Sequence, residues 1–200
     1  MDASVDVRLR TYLFWSFWAG LAFFAIYPAM NWITSLRRAP FHLYLTRELA
    51  IPFVPLFIWP YLSMYLLFAL PLFFVPAERM PALGKQLIAG CLISAAMFLL
   101  IPAELGFKRQ VPDSYAAIYS GMFNIDRPYN LVPSLHVIWS AAIVLACADF
   151  ARTPVRIALL AWLGVVIAST VLVHQHHLLD VIAALAIVLF LRRQYEVQHA

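Results

Sequence analysis

Apolar residues run along this chain in six long segments separated by shorter polar stretches. A helix of about 20 apolar residues crosses the ~30 Å hydrocarbon core of a bilayer, and the segments approach that length. They cover residues 12–33, 51–76, 84–102, 133–150, 154–173 and 178–191. The pattern therefore predicts an all-α, polytopic membrane protein with six transmembrane helices, in a single integral-membrane domain over residues 1–200.

Two of these segments have special features. The first follows Arg8 and Arg10, as the apolar part of a signal peptide does. It is long enough to span, and no small-residue cleavage site follows it, so we expect a retained helix. The second contains Pro52, Pro55, Pro60, Pro71 and Pro76, which predict a kinked or partly re-entrant helix.

Composition agrees with a membrane location and excludes several other classes. Hydrophobic residues make up 64% of the chain and charged residues 12%, far from the values of a soluble domain. The net charge of +4 is too small for a nucleic-acid-binding protein. Cys91 and Cys147 both lie in apolar runs, so we expect neither a disulfide framework nor a zinc knuckle.

The basic residues weakly favour one orientation. Six crossings place both termini on one side, together with eight basic residues: Arg8, Arg10, Arg79, Lys85, Arg152, Arg156, Arg192 and Arg193. The other side has six: Arg37, Arg38, Arg47, Lys108, Arg109 and Arg127. By the positive-inside rule we expect a bacterial inner-membrane protein with cytoplasmic termini. The loop 104–132 and the turn 174–177 would then face the periplasm.

Two groups of polar residues lie at helix ends on that outer face. They surround the start of the fourth helix and the turn before the sixth: Asp126, Arg127, Ser134 and His136, and His174, His176, His177 and Asp180. Ionisable side chains are costly at membrane depth, so we expect them to have a function. Six crossings would bring the two groups within reach of each other.

His176 and Asp180 are four residues apart, which places both side chains on one face of a helix. The carboxylate can hold the proton on one ring nitrogen and leave the other lone pair free as a nucleophile or base. His177 and Asp180, three residues apart, offer a weaker version of the same geometry. The alternative is that these histidines form a hydrated patch at a helix end and have no catalytic function.

The run Pro-Ser-Leu-His at 133–136 begins the fourth helix. Free backbone N–H groups and the helix dipole make such an N-terminus a binding site for anions. Ser134 adds a hydroxyl donor, and His136 can give a proton to a leaving oxygen. A plain helix cap with one satisfied histidine would explain the same run.

Cations on the same face complete the predicted site. Arginine suits phosphate because its fork meets two oxygens at once. The candidates are Arg127, Lys108 and Arg109. With the two histidines, the carboxylate and the helix N-terminus, they predict a phosphoryl-transfer site without a metal ion. A zinc site on His174, His176 and His177 is the weaker alternative, because neighbouring residues on a helix diverge by about 100°.

The order of these residues resembles the type 2 phosphatidic acid phosphatase superfamily, the integral-membrane relatives of vanadium haloperoxidases. That family carries the motifs K-x6-R-P, P-S-x-H and S-R-x5-H-x3-D. The second motif is complete at 133–136, and the third keeps its spacing from Ser169 to His176 and Asp180. Thr170 stands where the third motif has arginine. In the first motif Arg127-Pro128 is present, and Ser120 stands where lysine is usual.

These departures and the run Ile-Pro-Phe-Val-Pro at 51–55 are similar to the inositol phosphorylceramide synthase-like branch. The resemblance implies that helices four to six form the catalytic bundle. His176 would attack phosphorus to give a phosphohistidine, with Asp180 holding the ring. His136 would protonate the leaving alcohol and then activate water or an acceptor alcohol. The implied phosphate ligands are Ser134, Arg127, Arg109 and Lys108, and the implied reaction uses no cofactor.

Three functions are compatible with the sequence. The favoured one is hydrolysis of a lipid phosphate or diphosphate monoester, because the short loops leave no visible room for a second substrate's domain. Transfer of a phospho-headgroup to an alcohol is the second, and the branch resemblance favours it. A non-enzymatic lipid transporter is a distant third, since no internal repeat is present and the charges lie at helix ends. The expected partners are a lipid phosphate and membrane lipids.

Overall fold

The computed structural model of this protein describes residues 3–37 and 40–196, so Arg38 of the charge comparison lies outside it. In these ranges the chain forms helices and no strand, which confirms the all-α class. The α-helices are α1 (Ala3–Ser35), α2 (Ile58–Leu67), α3 (Leu70–Phe74), α4 (Met80–Leu100), α5 (Ala116–Ile125), α6 (Leu135–Phe150), α7 (Thr153–Leu172) and α8 (Leu178–Glu196). Short 3-10 helices cover Thr46–Ala50, Pro55–Phe57, Ala77–Arg79 and Asp113–Tyr115.

Three stretches of helix are long and apolar enough to cross a membrane: Val5–Ser35, Ala77–Leu100 and Thr153–Leu172. Two shorter apolar helices cover Pro55–Leu67 and Leu135–Phe150. Length and apolarity thus support three of the six predicted spans directly. The sixth predicted span differs because α8 is flanked by charge, with Asp180 in its first turn and two arginines near its end.

The second predicted span is broken, as its prolines predict. Pro55 begins a 3-10 turn, α2 follows, and α3 starts after a short break with Pro71 in its first turn. The polar stretch 104–132 was predicted as a connection only, yet it contains α5. Tyr119 of α5 is fully buried against Ile58 and Val173, which fixes α5 beside the α2 region.

Helix α6 forms the centre of the bundle, in contact with α2, α3, α4, α7 and α8. Its residues Val137, Ala141 and Cys147 are fully buried. Helix α1 packs along α4, where the Trp15 indole lies so close to Gly84 that no Cβ would fit. These contacts hold the first turn of α6 at the end of the bundle where α7 turns into α8.

An apolar chamber of about 330 Å³ lies between α1, α2, α3, α4 and α6. Aromatic side chains supply much of its lining: Tyr12, Trp15, Phe23, Phe24, Tyr27, Tyr65, Phe68 and Trp139. Two of these, Phe24 and Tyr65, are 75% and 59% exposed, so the chamber opens sideways out of the bundle. At its other limit it reaches His136.

Candidate active site

The turn between α7 and α8 sets the position of three polar side chains. His174 adopts a left-handed conformation with φ of 56°, and the N–H groups of Gln175 and His176 both donate to the Thr170 carbonyl at 3.0 Å. The chain is thereby reversed at the end of α7. Asp180, in the first turn of α8, accepts a hydrogen bond from the His177 N–H at 2.9 Å, which satisfies a free donor at the helix start.

The two motif segments meet through a chain of side-chain hydrogen bonds. His176 Nδ1 lies 3.1 Å from Asp180 Oδ2, and His176 Nε2 lies 3.3 Å from His136 Nδ1. On its other side, His136 Nε2 lies 2.9 Å from the Tyr61 hydroxyl. The backbone joins them as well, because the Ser134 N–H donates to the Asp180 carbonyl at 3.1 Å.

This series of hydrogen bonds allows one placement of the protons when the rings of His136 and His176 are both neutral. An ionised carboxylate only accepts, so His176 carries its proton on Nδ1 and presents a lone pair at Nε2. His136 then donates from Nδ1 to that lone pair and accepts at Nε2 from the Tyr61 hydroxyl. The unprotonated nitrogen of His176 and an N–H of His136 therefore face each other across 3.3 Å. Phosphoryl transfer can use such a pair, with an unprotonated nitrogen as nucleophile and a second imidazole as acid once it is protonated.

The ring of His177 has a different partner. The sequence left open whether His176 or His177 pairs with Asp180, and in the structure it is His176 that bonds to the carboxylate. His177 Nδ1 lies 3.2 Å from Glu48 Oε2 instead. His174, the third member of the alternative zinc site, contacts the Ile51 carbonyl through Nε2 at 3.0 Å. Within the described ranges, no group of three or more His, Cys, Asp or Glu side chains could hold a metal ion.

A second carboxylate lies on the far side of His136. Asp126 Oδ2 is 4.0 Å from His136 Nε2, and Asp126 Oδ1 accepts a hydrogen bond from the Tyr27 hydroxyl at 2.5 Å. Tyr27 belongs to α1, so the first helix contributes directly to this site. A negative charge at this distance would stabilise a positive charge on the His136 ring.

The predicted phosphate ligands differ in how close they come to the histidines. Ser134 is the N-cap of α6 and is fully buried, with its hydroxyl accepting from the Val137 N–H at 3.4 Å. The N–H groups at the first two positions of α6 have no partner within the helix and lie beside His136. Thr170, at the place of the missing arginine, is fully buried and donates to the Ile167 carbonyl, so it adds no charge.

Arg109 lies closer to the site than the other two cations. It donates to the carbonyls of Asp126 and Phe123 at 2.6 and 3.4 Å, and its guanidinium lies 4.5 Å from the Phe123 ring centroid. Its Nε is buried without a partner among the described residues. Lys108 and Arg127 are exposed, and no hydrogen bond or ion pair joins their side chains to the cluster in the ranges that the structure describes.

Sequence reasoning missed three residues of this cluster: Tyr61, Tyr27 and Glu48. Both tyrosines lie within apolar helices, where they read as interfacial anchors. Glu48 had a usable signal, because it is a carboxylate directly before an apolar segment and at the face predicted to hold the site.

Comparisons with known proteins agree with the motifs. The family model of the PAP2 superfamily matches residues 42–192, which include α2 to α7 and most of α8. No curated protein and no solved structure shows a significant match. The matched region contains every residue hydrogen-bonded around His136 and His176, here called the histidine cluster, except Tyr27 of α1. The chain therefore belongs to the PAP2 superfamily.

Proposed function

We propose that this protein is a metal-independent lipid phosphatase that hydrolyses a lipid phosphate or diphosphate monoester through a phosphohistidine at His176. Superfamily membership indicates a phosphatase or phosphotransferase. The observation that carries the proposal is the hydrogen-bonded series Tyr61–His136–His176–Asp180, in which the unprotonated nitrogen of His176 faces an N–H of His136.

In the first step His176 Nε2 attacks phosphorus, the N–P bond forms and the P–O bond to the lipid breaks. His136, which takes up a proton when the anionic substrate binds, passes its Nδ1 proton to the leaving oxygen and becomes neutral, so the lipid departs as a neutral alcohol. The 3.3 Å contact between the rings leaves no room for a phosphoryl group, so the substrate must displace it. The displaced N–H then lies beside the leaving oxygen, where general acid catalysis requires it.

In the second step His136 takes a proton from water, whose oxygen attacks phosphorus while the N–P bond breaks. Asp180 stabilises the positive charge on the His176 ring, as the buried carboxylate does in serine protease triads. Asp126 and Tyr61 stabilise the positive charge on the His136 ring while that ring is protonated. Phosphate leaves as product, and both rings return to their starting protonation states.

The anionic oxygens of phosphate would meet the N-terminus of α6, Ser134 and three cations. The first-turn N–H groups and the positive end of the helix favour an anion beside His136. Arg109 is half-buried and has a buried, partnerless Nε, which suits a phosphate ligand. Arg127 and Lys108, both exposed on this face, would bind when substrate arrives.

The apolar chamber supports a lipid as substrate. It reaches His136 at one limit and opens between the exposed side chains Phe24 and Tyr65 at another. A hydrocarbon chain could enter from the bilayer and lie along α1 while its phosphate rests at the histidines. Because the hydrocarbon chain would move from one apolar environment to another, its entry would require little desolvation.

We propose that the bundle crosses the membrane six times, counting α2 with α3 as one crossing. Helices α6, α7 and α8 would form the catalytic bundle. With cytoplasmic termini, the histidine cluster would face the periplasm of a bacterial inner membrane. The excess of basic residues on the terminal side supports this orientation.

Headgroup transfer is the second candidate function, in the manner of the inositol phosphorylceramide synthase-like branch. A separate cavity of about 320 Å³ favours it, because its lining is more polar than that of the chamber and includes Arg109. Thr34, Arg37, Glu104 and Tyr129 also line it. Such a cavity has the donors and acceptors to hold a polar acceptor alcohol near the phosphohistidine.

The deciding experiment is phosphate release by purified protein in detergent with EDTA, against a panel of lipid phosphates and diphosphates. His176→Ala serves as the blank, because it removes the nucleophile. Release that is lost in the variant supports hydrolysis. If folded wild-type protein releases no phosphate, hydrolysis is refuted. Labelled phospholipid with candidate alcohol acceptors then tests transfer.

A further inference from the structure

Beside the catalytic pair lies a second buried histidine–carboxylate pair, formed by His177 and Glu48. The two side chains are 2% and 4% exposed, and His177 Nδ1 lies 3.2 Å from Glu48 Oε2. The same oxygen accepts the Leu178 N–H at 2.9 Å, and Oε1 accepts the Leu45 N–H at 3.1 Å. A buried carboxylate with three donors is strongly anchored, because each donor offsets part of the cost of burying its charge.

The His177 ring is held on every side. The Gly106 N–H donates to Nε2 at 3.1 Å, so the ring proton is on Nδ1 and points to Glu48. Phe107 stacks on the ring with centroids 4.3 Å apart, and Tyr44 stacks on it at 4.6 Å. Both ring nitrogens are occupied in the resting structure, so His177 is neither a free base nor a nucleophile.

The second pair is joined to the first through Asp180. Asp180 Oδ2 accepts the backbone N–H of His177 at 2.9 Å and the ring N–H of His176 at 3.1 Å. A shift of the His177 backbone therefore moves the carboxylate that orients the nucleophile. Glu48 belongs to the segment between α1 and α2, so it fixes the α7–α8 turn from outside.

The electrostatics of the pair agree with this geometry. Burial by itself raises the pKa of Glu48, but hydrogen bonds from the Leu178 and Leu45 N–H groups and from His177 outweigh it, and the pKa lies below its usual value. Burial lowers the pKa of His177, with smaller opposing contributions from Asp180 and Glu48. The pair is therefore an ionised carboxylate with a neutral imidazole near pH 7.

We propose that Glu48 and His177 are positioning residues of the phosphoryl transfer, which hold Asp180 and His176 in line for attack. The role rests on the proposed function. Neither residue touches the reacting atoms, so their loss should lower kcat and leave KM nearly unchanged. No motif of the family resemblance includes Glu48, and the assignment comes from the contacts alone.

The test compares two variants that differ in one hydrogen bond. His177→Leu removes the ring and its N–H, whereas His177→Asn removes the ring but keeps an N–H near the position of Nδ1. Both lose the stacking on Phe107 and Tyr44, so the difference between them reports the bond to Glu48. We expect kcat to fall at least about tenfold in His177→Leu, and the Asn variant to recover most of that loss.

Glu48→Gln gives a second measurement of the same bond. An amide cannot accept three N–H donors as the carboxylate does, so we expect a similar fall in kcat with KM unchanged. The matched control is Glu78→Gln, the same substitution at an exposed glutamate of the Ala77–Arg79 turn before α4. This control should keep the wild-type kcat.

A readout independent of turnover separates the two proposals. Orthovanadate, a stable analogue of the transferring phosphoryl group, should bind the wild type and bind Glu48→Gln more weakly, as measured by vanadium NMR. Wild-type kcat and vanadate affinity in both Glu48→Gln and His177→Leu would overturn the positioning role alone. Wild-type protein that neither binds vanadate nor transfers phosphate would overturn the proposed function, and the positioning role with it.

Discussion

Replacing Asp180 by asparagine removes the charge that orients the proposed nucleophile while keeping the shape of the side chain. Two donors, His176 Nδ1–H and the His177 N–H, converge on the same carboxylate oxygen at 3.1 and 2.9 Å. An amide oxygen in that place can still accept both, so the ring keeps its orientation and tautomer. The expected loss is therefore the attraction between the carboxylate and the positive charge that develops on the His176 ring, about 3 kcal/mol, or about 100-fold in kcat.

The serine protease triad offers a contrast, since the corresponding substitution there costs about 10⁴ in kcat by imposing the wrong tautomer. The assay is single-turnover phosphate release by Asp180→Asn at saturating substrate, with folding checked by size-exclusion chromatography and thermal melting. Asp149→Asn is the matched control, because Asp149 pairs with Arg192 near the last turn of α6, far along the helix from His136. A fall below fivefold would refute the orienting role. A fall near 10⁴ would refute the argument from the shared oxygen.

Changes at Tyr61, at Gly20 and in pH test the His136 contact, the chamber and the α7–α8 turn. Tyr61→Phe should lower kcat about tenfold and change the pH–rate profile, because it leaves a ring nitrogen of His136 without its 2.9 Å partner. An unchanged profile would contradict this role of Tyr61. Gly20→Leu should shift the substrate preference toward shorter lipid chains, because Gly20 lines the chamber and a larger side chain there would fill part of it. Gly164→Leu is the control and should leave the preference unchanged, because Gly164 is exposed on α7, where a side chain also meets no neighbour. Acid should weaken the α7–α8 turn. The pKa of His177 is lower in the folded protein than in the unfolded chain, so the unfolded chain takes up a proton first as the pH falls. The stability that is present above about pH 6.5 is therefore lost as the pH falls. Melting temperatures between pH 8 and pH 5 should show this loss, and His177→Asn should reduce it.

The sequence predicted those elements that carry local signals. Helices α6 and α7 begin within two residues of the predicted starts, because Ser134 and Pro154 mark helix starts by their own chemistry. The bond between His176 and Asp180 was also predicted, but not its geometry: His176 lies in the turn before α8, so the turn and not a shared helix face brings the two side chains together. The roles of these residues in catalysis remain predictions.

What the sequence did not predict depends on distant contacts. Tyr61 meets His136 across 75 positions, and Glu48 meets His177 across 129. No local spacing connects such pairs, and only the packing of α2 and the preceding loop against the bundle brings them together. Helix α5 was missed for a related reason: its ten residues are too few for a membrane span, and the helix is fixed by the burial of Tyr119 in the fold.

Helix α1 lies outside the region that matches the superfamily, yet it supplies Tyr27 to the site and one wall of the chamber. Under the proposed function, the matched region would carry the reacting histidines, while α1 would help to select the lipid chain. In such an arrangement the two parts can evolve at different rates, since substitutions on the inner face of α1 leave His176 and Asp180 untouched. A chimaera with the first helix of another family member would then inherit that donor's lipid preference and retain the reaction of the host.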